Sequence, residues 1–530
     1  MKIRNIIFLA GILLPVMAVH AQTDSGHEQY VGDALRFSQT NINGSARFQG
    51  MGGVNAALGA DVSSVSGNPA GLGFFRKSEW SISPALGFAN TNTDYLGNTT
   101  KDSRANFNIA NLGIVFASPK AEIKGGAWRG GAFGISFSRL NNFQNQFTLN
   151  GVNNRTSITD YLAEQTYNLN ISDTELQVDE NAIGARNSIP SDLYEAGLTN
   201  QVALAQLAYA GFLIDAADSD NDGKADPDND YLSGVGNQFR VNQNETVKTT
   251  GAQYQWNFSY GGNISDKFYF GASVGLSRIR YGYEKAFRED VLETDFPRIS
   301  NFTLTDYYDA SGTGINGTVG FIFKPNDIIR FGASATTPTY YRINEEYSTD
   351  LVTNFNDRSL SDGLSNISLR TVTLNYGYNL TSPFRASGGV AVFFGKRGFI
   401  SADAEYLSYN TAKLSRDLSD ANTDIRNRYQ PTVNVRVGGE FREGIFRLRG
   451  GAAYFGDPYD SNYDDLDRTK ISFTAGAGIR LSNFYIDFAA VHSRFKSGYT
   501  PYPLSNQNFE PSATIRNAYT NAVISFGTFF

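Results

Sequence analysis

Residues 431–444 read PTVNVRVGGEFREG, and the way their side chains alternate decides the fold. Val433, Val435, Val437 and Phe441 share one face of an extended chain, and Asn434, Arg436, Glu440 and Arg442 share the other. The same period of two continues downstream. Phe446, Leu448 and Tyr454 oppose Arg447 and Arg449, and Ile471, Phe473, Ala475, Ala477, Ile479 and Leu481 oppose Ser472, Thr474 and Arg480. A soluble sandwich would turn the polar face to water and the apolar face to a second sheet. Charges at the centres of successive long strands, beside continuous apolar faces, suit a barrel with lipid outside and a polar lumen within.

Worked outward from this stretch, the alternation runs from about residue 79 to the C-terminus. It predicts strands at 79–90, 105–118, 130–150, 247–264, 267–287, 301–324, 328–349, 369–395, 398–411, 428–443, 445–456, 468–482, 484–495 and 514–530. Pro338 and Pro383 interrupt the seventh and eighth; a bulge at each, and no strand end, keeps the count even. Short turns near Ser265-Asp266, Pro325-Asn326-Asp327, Lys396-Arg397, Glu443-Gly444 and Ser482-Asn483 alternate with longer polar loops at 288–300, 350–368, 412–427, 457–467 and 496–513. Bacterial barrels have such tight periplasmic turns and long extracellular loops. The expected fold is all-β, a 14-stranded antiparallel transmembrane β-barrel over residues 78–530.

Composition agrees. The chain has 53 Gly, 29 Tyr, 39 Phe and no Cys, with 18% charged residues, which suits a large β structure without disulfides. Residues 1–21 carry basic Lys2 and Arg4, an apolar run over 6–19 and a small-residue site ending at Ala21. They read as a signal peptide cleaved before Gln22, placing the mature chain outside the cytoplasm. Losing Lys2 and Arg4 makes the net charge of −7 two units more negative. An acidic chain without a basic block argues against nucleic acid as a partner. No later apolar run is long enough for a transmembrane helix, so a membrane would be crossed by a closed barrel.

Two regions lie outside the strands. Residues 22–77 have the size of a plug, and their stretch RFQGMGGVNAALGADVSSVSGNPAGLGFF (47–75) holds seven glycines. A phosphate-binding turn would open a helix, whereas a strand follows here. The glycines instead let a hatch fold tightly inside a crowded lumen. GTGING (312–317) is also followed by strand, and GASVG (271–275) sets Ser273 mid-strand, away from any strand-to-helix elbow. Neither nucleotide binding nor an enzyme is expected.

Residues 151–246 form a long extracellular excursion. Within it IPSDLYEAGLTNQVALAQLAYAGFLIDAA predicts a helix capped by Ser191 or Asp192, with Tyr194, Leu198, Val202, Ala205, Tyr209 and Phe212 on one stripe. The stripe either packs on the rim and neighbouring loops or walls a groove for an apolar ligand. Further on, DSDNDGKAD places Asp218, Asp220 and Asp222 alternately, with a turn at Gly223, the Lys224 carbonyl and Asp226. This resembles the start of an EF-hand calcium loop and predicts a structural Ca²⁺. Asn229 at the twelfth position leaves a solvated acidic tip as the other reading. With His27, His492 and Met51 as the only mature candidates, haem ligation has little to use, and His492 reads as a rim residue. In the predicted lumen Asp403, Glu405, Arg436, Glu440, Arg442, Arg447, Arg449, Arg480 and Asp487 mix both signs. They can pair with each other and with a plug.

The hatch stretches DALRFSQTNINGSARFQGMGG (33–53) and ALGADVSSVSGNPAGL (57–72), with the Asn68-Pro69-Ala70 triplet before strand one, resemble the FadL/TodX family of outer-membrane transporters for hydrophobic compounds. The final NAVISFGTFF, closing on Phe530, is similar to the signal read by barrel-assembly machinery. The resemblance covers the mature chain and implies a hatch-closed barrel in the outer membrane. Ligands such as long-chain fatty acids would be caught by extracellular loops, reach a pocket near the hatch and leave sideways by strand three. It places Asn68, Pro69, Ala70 and Gly71 beside that opening and offers Arg47 as a partner for a fatty-acid carboxylate. Some relatives, including PorV-like proteins, act as partners in protein secretion, so a non-transporting subunit with protein partners is the alternative.

Overall fold

The computed structural model describes residues 28–120, 126–170, 176, 200–217, 230–235, 240–293, 298–356, 365–415 and 418–530. Its strands close into one antiparallel fourteen-stranded barrel. They are β1 (Glu79–Tyr95), β2 (Asn98–Pro119), β3 (Trp128–Asn142 and Asn145–Asn153), β4 (Val241–Ile264), β5 (Phe268–Val291) and β6 (Ile299–Phe323). There follow β7 (Ile329–Thr336 and Tyr340–Phe355), β8 (Asn366–Arg370, Leu374–Thr381 and Arg385–Phe393) and β9 (Gly398–Ser408 and Lys413–Leu414). The last are β10 (Pro431–Glu443), β11 (Phe446–Phe455), β12 (Lys470–Arg480), β13 (Phe484–Tyr499) and β14 (Ala513–Phe529). β14 pairs back onto β1, from Glu79 opposite Phe529 to Tyr95 opposite Ala513, and leaves no edge.

Pro338 and Pro383 break β7 and β8 locally without ending them. β6 pairs with both pieces of β7, Phe331 facing Phe323 and Tyr340 facing Ile315. The alternation is inside-out, as in a bilayer-spanning barrel. Phe441 and Leu448 are 52% and 59% exposed, while Glu440 and Arg449 on the inner face are 5% and 7% exposed. His492 faces outward in mid-strand, not at the rim, and its ring meets Thr520 and Arg494.

Several strands run further outward than the apolar pattern indicates. Residues 91–104, which lie between the first two expected strands, are strand on both sides of a tight turn at Leu96-Gly97, both in left-handed conformation with φ of 45° and 83°. The excursion between β3 and β4 spans 154–240, within the expected 151–246.

Residues 28–77 occupy the lumen. Helix α1 (Glu28–Arg36) lies toward the outer end, where Val31, Ala34 and Leu35 join a cluster with Ile279, Tyr308, Tyr341, Tyr378 and Tyr429. Asp33 anchors it by accepting from the hydroxyls of Tyr308 (2.9 Å) and Tyr378 (2.8 Å). Helix α2 (Ala46–Gly50) sits lower, capped by Ser45. Wall glycines make room for the segment after it. A Cβ on Gly451 would stand 2.5 Å from the Gly52 nitrogen, and one on Gly438 would collide with the Met51 carbonyl.

Candidate functional site: the lumen cavity and the seam between β2 and β3

One flank of the barrel grips the hatch by charge. Glu440 receives Arg449 at 2.7 Å, Arg442 at 2.7 Å and the hatch residue Arg47 at 3.2 Å, and Arg449 also reaches Asp487 at 2.7 Å. Asp403 accepts from the backbone nitrogens of Asn55 (2.6 Å) and Ala56 (2.8 Å), and Arg436 pairs with Glu405 at 2.8 Å. The mixed lumen charges thus hold each other and the plug. Arg447 and Arg480 stand apart: Arg447 donates to turn carbonyls, and Arg480 lies over the rings of Tyr485 and Phe529. Arg47, offered as a carboxylate partner, is spent on Glu440, Asp61 (3.6 Å) and the Ala60 carbonyl, so it presents no free charge to a ligand.

The Asn-Pro-Ala-Gly element forms the start of a 3₁₀ turn over Pro69–Phe74, and Asn68 caps it by accepting from the Ala70 nitrogen at 3.1 Å. Asn68 Nδ2 donates to Ala56 O at 2.7 Å and to the wall carbonyls of Phe321 and Ala333 at 3.3 Å. Pro69 lies against Gly271, and Gly71 against Ser64. Asn68, Pro69 and Ala70 wedge the foot of the hatch against β4 to β7, and Gly71 packs within the hatch.

The wall is unzipped elsewhere. β2 and β3 pair only from Asn111 opposite Ser138 to Pro119 opposite Gly130, so β2 residues 98–110 have a ladder partner on β1 alone. The outer half of β3 keeps its ladder to β4 but parts from β2 and tucks behind it, where it buries Tyr95 with Phe147 and Leu149. Side chains replace the missing ladder. Thr100 bonds the Thr148 carbonyl, Gln146 and Thr148 donate to Asp102 at 3.0 and 3.3 Å, and Arg104 donates to Asn145 O at 3.3 Å. Asn142 closes the lower end, donating to Asn106 at 3.4 Å and to the Tyr519 hydroxyl at 2.8 Å.

Behind the seam, above the hatch, lies a cavity of about 400 Å³. Leu35, Ile42, Phe143, Tyr281, Phe455 and Val491 supply apolar walls, and Asn41, Asn141, Asn145 and Lys470 supply polar ones. Lys470 Nζ donates to Asn41 Oδ1 at 2.8 Å and sits 4.3 Å from the Phe455 ring centre, with no carboxylate paired to it among the described residues. None of these residues was singled out by pattern. The available signal was RLNNFQN (139–145), where alternation fails within a strand.

The helical stripe divides. Tyr194 and Leu198 lie outside the described residues, as do Asp218, Asp220, Asp222, Lys224 and Asp226. Helix α3 (Ile158–Asn168) and helix α4 (Asn200–Ala210) pack together. In α4 Val202 is buried with Ala205, and Tyr209 packs beside them. Phe212 falls beyond the helix in left-handed conformation (φ 61°), against Phe355 and Arg298. Val202, Tyr209 and Phe212 do not line the cavity above the hatch.

The sequence matches no family model and no curated relative. By structure the chain is similar to a FadL homologue of Pseudomonas aeruginosa, with TM-score 0.53, 12% identity, 93% of this chain and 99% of that one covered. It is also similar to a deltaS2 mutant of the TodX monoaromatic hydrocarbon channel (TM-score 0.51, 13% identity, 92% and 99% covered). The P. putida toluene transporter TodX follows with TM-score 0.49, 13% identity and 92% and 99% covered. At such identities the likeness is one of fold: this chain has the FadL/TodX-like fold, a closed fourteen-stranded antiparallel barrel.

Proposed function

We propose that the chain is an outer-membrane channel for passive uptake of hydrophobic molecules. Ligand caught at the outer loops enters the cavity above the hatch and leaves through the β2–β3 seam into the lipid. The observation that carries this reading is the stretch of wall at 98–110, laddered to β1 but joined to β3 by side chains alone, next to a partly apolar cavity. The FadL homologue and the hydrocarbon channel that share the fold support the same class of cargo. Burial of about 0.8 kcal/mol per CH₂ draws such a ligand from water without nucleotide. Lys470, with no carboxylate partner among the described residues, favours a cargo with one acidic end, such as a long-chain fatty acid.

The chain has no cysteine, so cysteines placed at Asp102 and Thr148, whose side chains hydrogen-bond across the seam, offer a unique staple there. Oxidation should abolish most fatty-acid uptake by cells, and a reductant should restore it. Unchanged uptake in the fully cross-linked protein sinks lateral release. Co-purification of a stable protein partner by a non-transporting barrel would favour the subunit reading instead.

In the same reading Asp218, Asp220, Asp222, Lys224 and Asp226 hold a structural Ca²⁺ in the long loop. Calcium should then protect that loop from protease, and protection indifferent to a chelator refutes it.

A further inference from the structure

We infer that the outward face of β5, β6 and β7 carries a docking row for the phosphate-bearing head groups of outer-leaflet lipid. The lipid-facing positions of these strands are layered by register. Trp256 of β4, Leu276, Ile315 and Tyr340 form one exposed row, since Trp256 pairs with Leu276, Leu276 with Ile315 and Ile315 with Tyr340. A row mixing Trp and Tyr with aliphatic residues marks the boundary between hydrocarbon and head groups.

The next row outward is Arg278, Thr313 and Arg342, and the one after is Arg280, Ser311 and Asn344. All three arginines are exposed. None of their side chains makes an ion pair, a hydrogen bond or a ring contact among the described residues. Other exposed arginines of the wall behave differently: Arg516 pairs with Asp94, and Arg370 with Asp350. Arg278 and Arg342 flank Thr313 from the two neighbouring strands, roughly 10 Å apart at two strand spacings. Guanidinium groups take phosphate oxygens in bidentate fashion, and the Thr313 hydroxyl between them is a further donor.

Two residues beyond Ser311, Asp309 stands directly opposite Glu346. This acidic pair repels an anion on the aqueous side, so a phosphate is confined to the arginine rows just above the hydrocarbon. Free anions gain only the charge, whereas a lipid head group is also held at this height by its acyl chains. The occupant is therefore a membrane lipid.

The test uses the full-length barrel in mixed micelles of phosphatidylglycerol and phosphatidylcholine, with bound lipid counted by native mass spectrometry. Replacing Arg278, Arg280 and Arg342 by Gln should lower retained phosphatidylglycerol by roughly fivefold per arginine, with phosphatidylcholine unchanged. Arg516→Gln, which removes a paired arginine, should change little. Heat-modifiable migration on gels reports that each variant is folded, and single Gln variants serve if the triple one is not. Equal phosphatidylglycerol retention by wild type and folded variants overturns the inference. So does displacement of the lipid by inorganic phosphate alone.

Discussion

The flank from β10 to β13 and the seam between β2 and β3 close the same wall by different means. On the flank the ladders of β10, β11, β12 and β13 run through the buried middle of the wall, and Glu440, Arg449 and Asp487 tie them to Arg47 of the hatch. At the seam a ladder is absent, and Thr100, Asp102, Arg104 and Asn142 bridge the gap with side chains. Exposed or half-exposed side-chain hydrogen bonds net about 1 kcal/mol each and break one at a time. A buried charge network cannot part without stranding charges away from water. The difference teaches that the seam is the weaker closure, so the proposed lateral exit does not require the hatch to leave.

The largest expected effect falls on the flank. Glu440→Ala leaves Arg47, Arg449 and Arg442 without their shared carboxylate, and Arg449 keeps only Asp487. Removing one member of a buried ionic network costs about 3–5 kcal/mol. The temperature at which the folded gel band disappears should fall markedly. Asp102→Ala at the seam removes the acceptor of Gln146 and Thr148 and should cost about 1 kcal/mol. Its folded band should persist while uptake is kept or quickened. Equal losses of stability in the two variants would break the comparison.

That contrast was half legible in the sequence. Strands such as 431–444 announce themselves because lipid on one side and buried charge on the other force strict alternation, so the strand count and the mixed-sign lumen could be read directly. The outer extensions at 91–104 and 241–246 escaped, since both faces there are polar and period two leaves no trace. The seam left no trace in the pattern for another reason, and only the resemblance pointed to an opening by strand three. A strand that parts from one neighbour keeps its extended backbone, and the amide-rich stretch 139–145 differs from other wall strands chiefly in what its side chains bond. Asn68 was visible as a motif, but which strands it braces depends on register between hatch and wall, set by glycine contacts that no local pattern encodes.

The smallest effect sharpens the comparison at the periplasmic foot. There Asp266, in the turn between β4 and β5, meets Arg76 at the hatch exit and Arg129 at the base of β3. Partial burial works against its charge, yet the Asn263 amide and the two arginines hold its carboxyl below the usual range. The folded value is depressed, so the contribution is present above the ordinary carboxylate range near pH 4 and is lost as pH falls through the lower folded value. The side chain is 45% exposed, which limits the gain to well under 1 kcal/mol. Asp266 has a left-handed backbone (φ 56°) that Asn also tolerates, so Asp266→Asn changes the charge and spares the turn. The variant should melt slightly below wild type at neutral pH, and the gap should close in acid. A gap that persists in acid would mean that the turn's geometry, and no ion pair, ties the hatch exit to the seam side of the barrel.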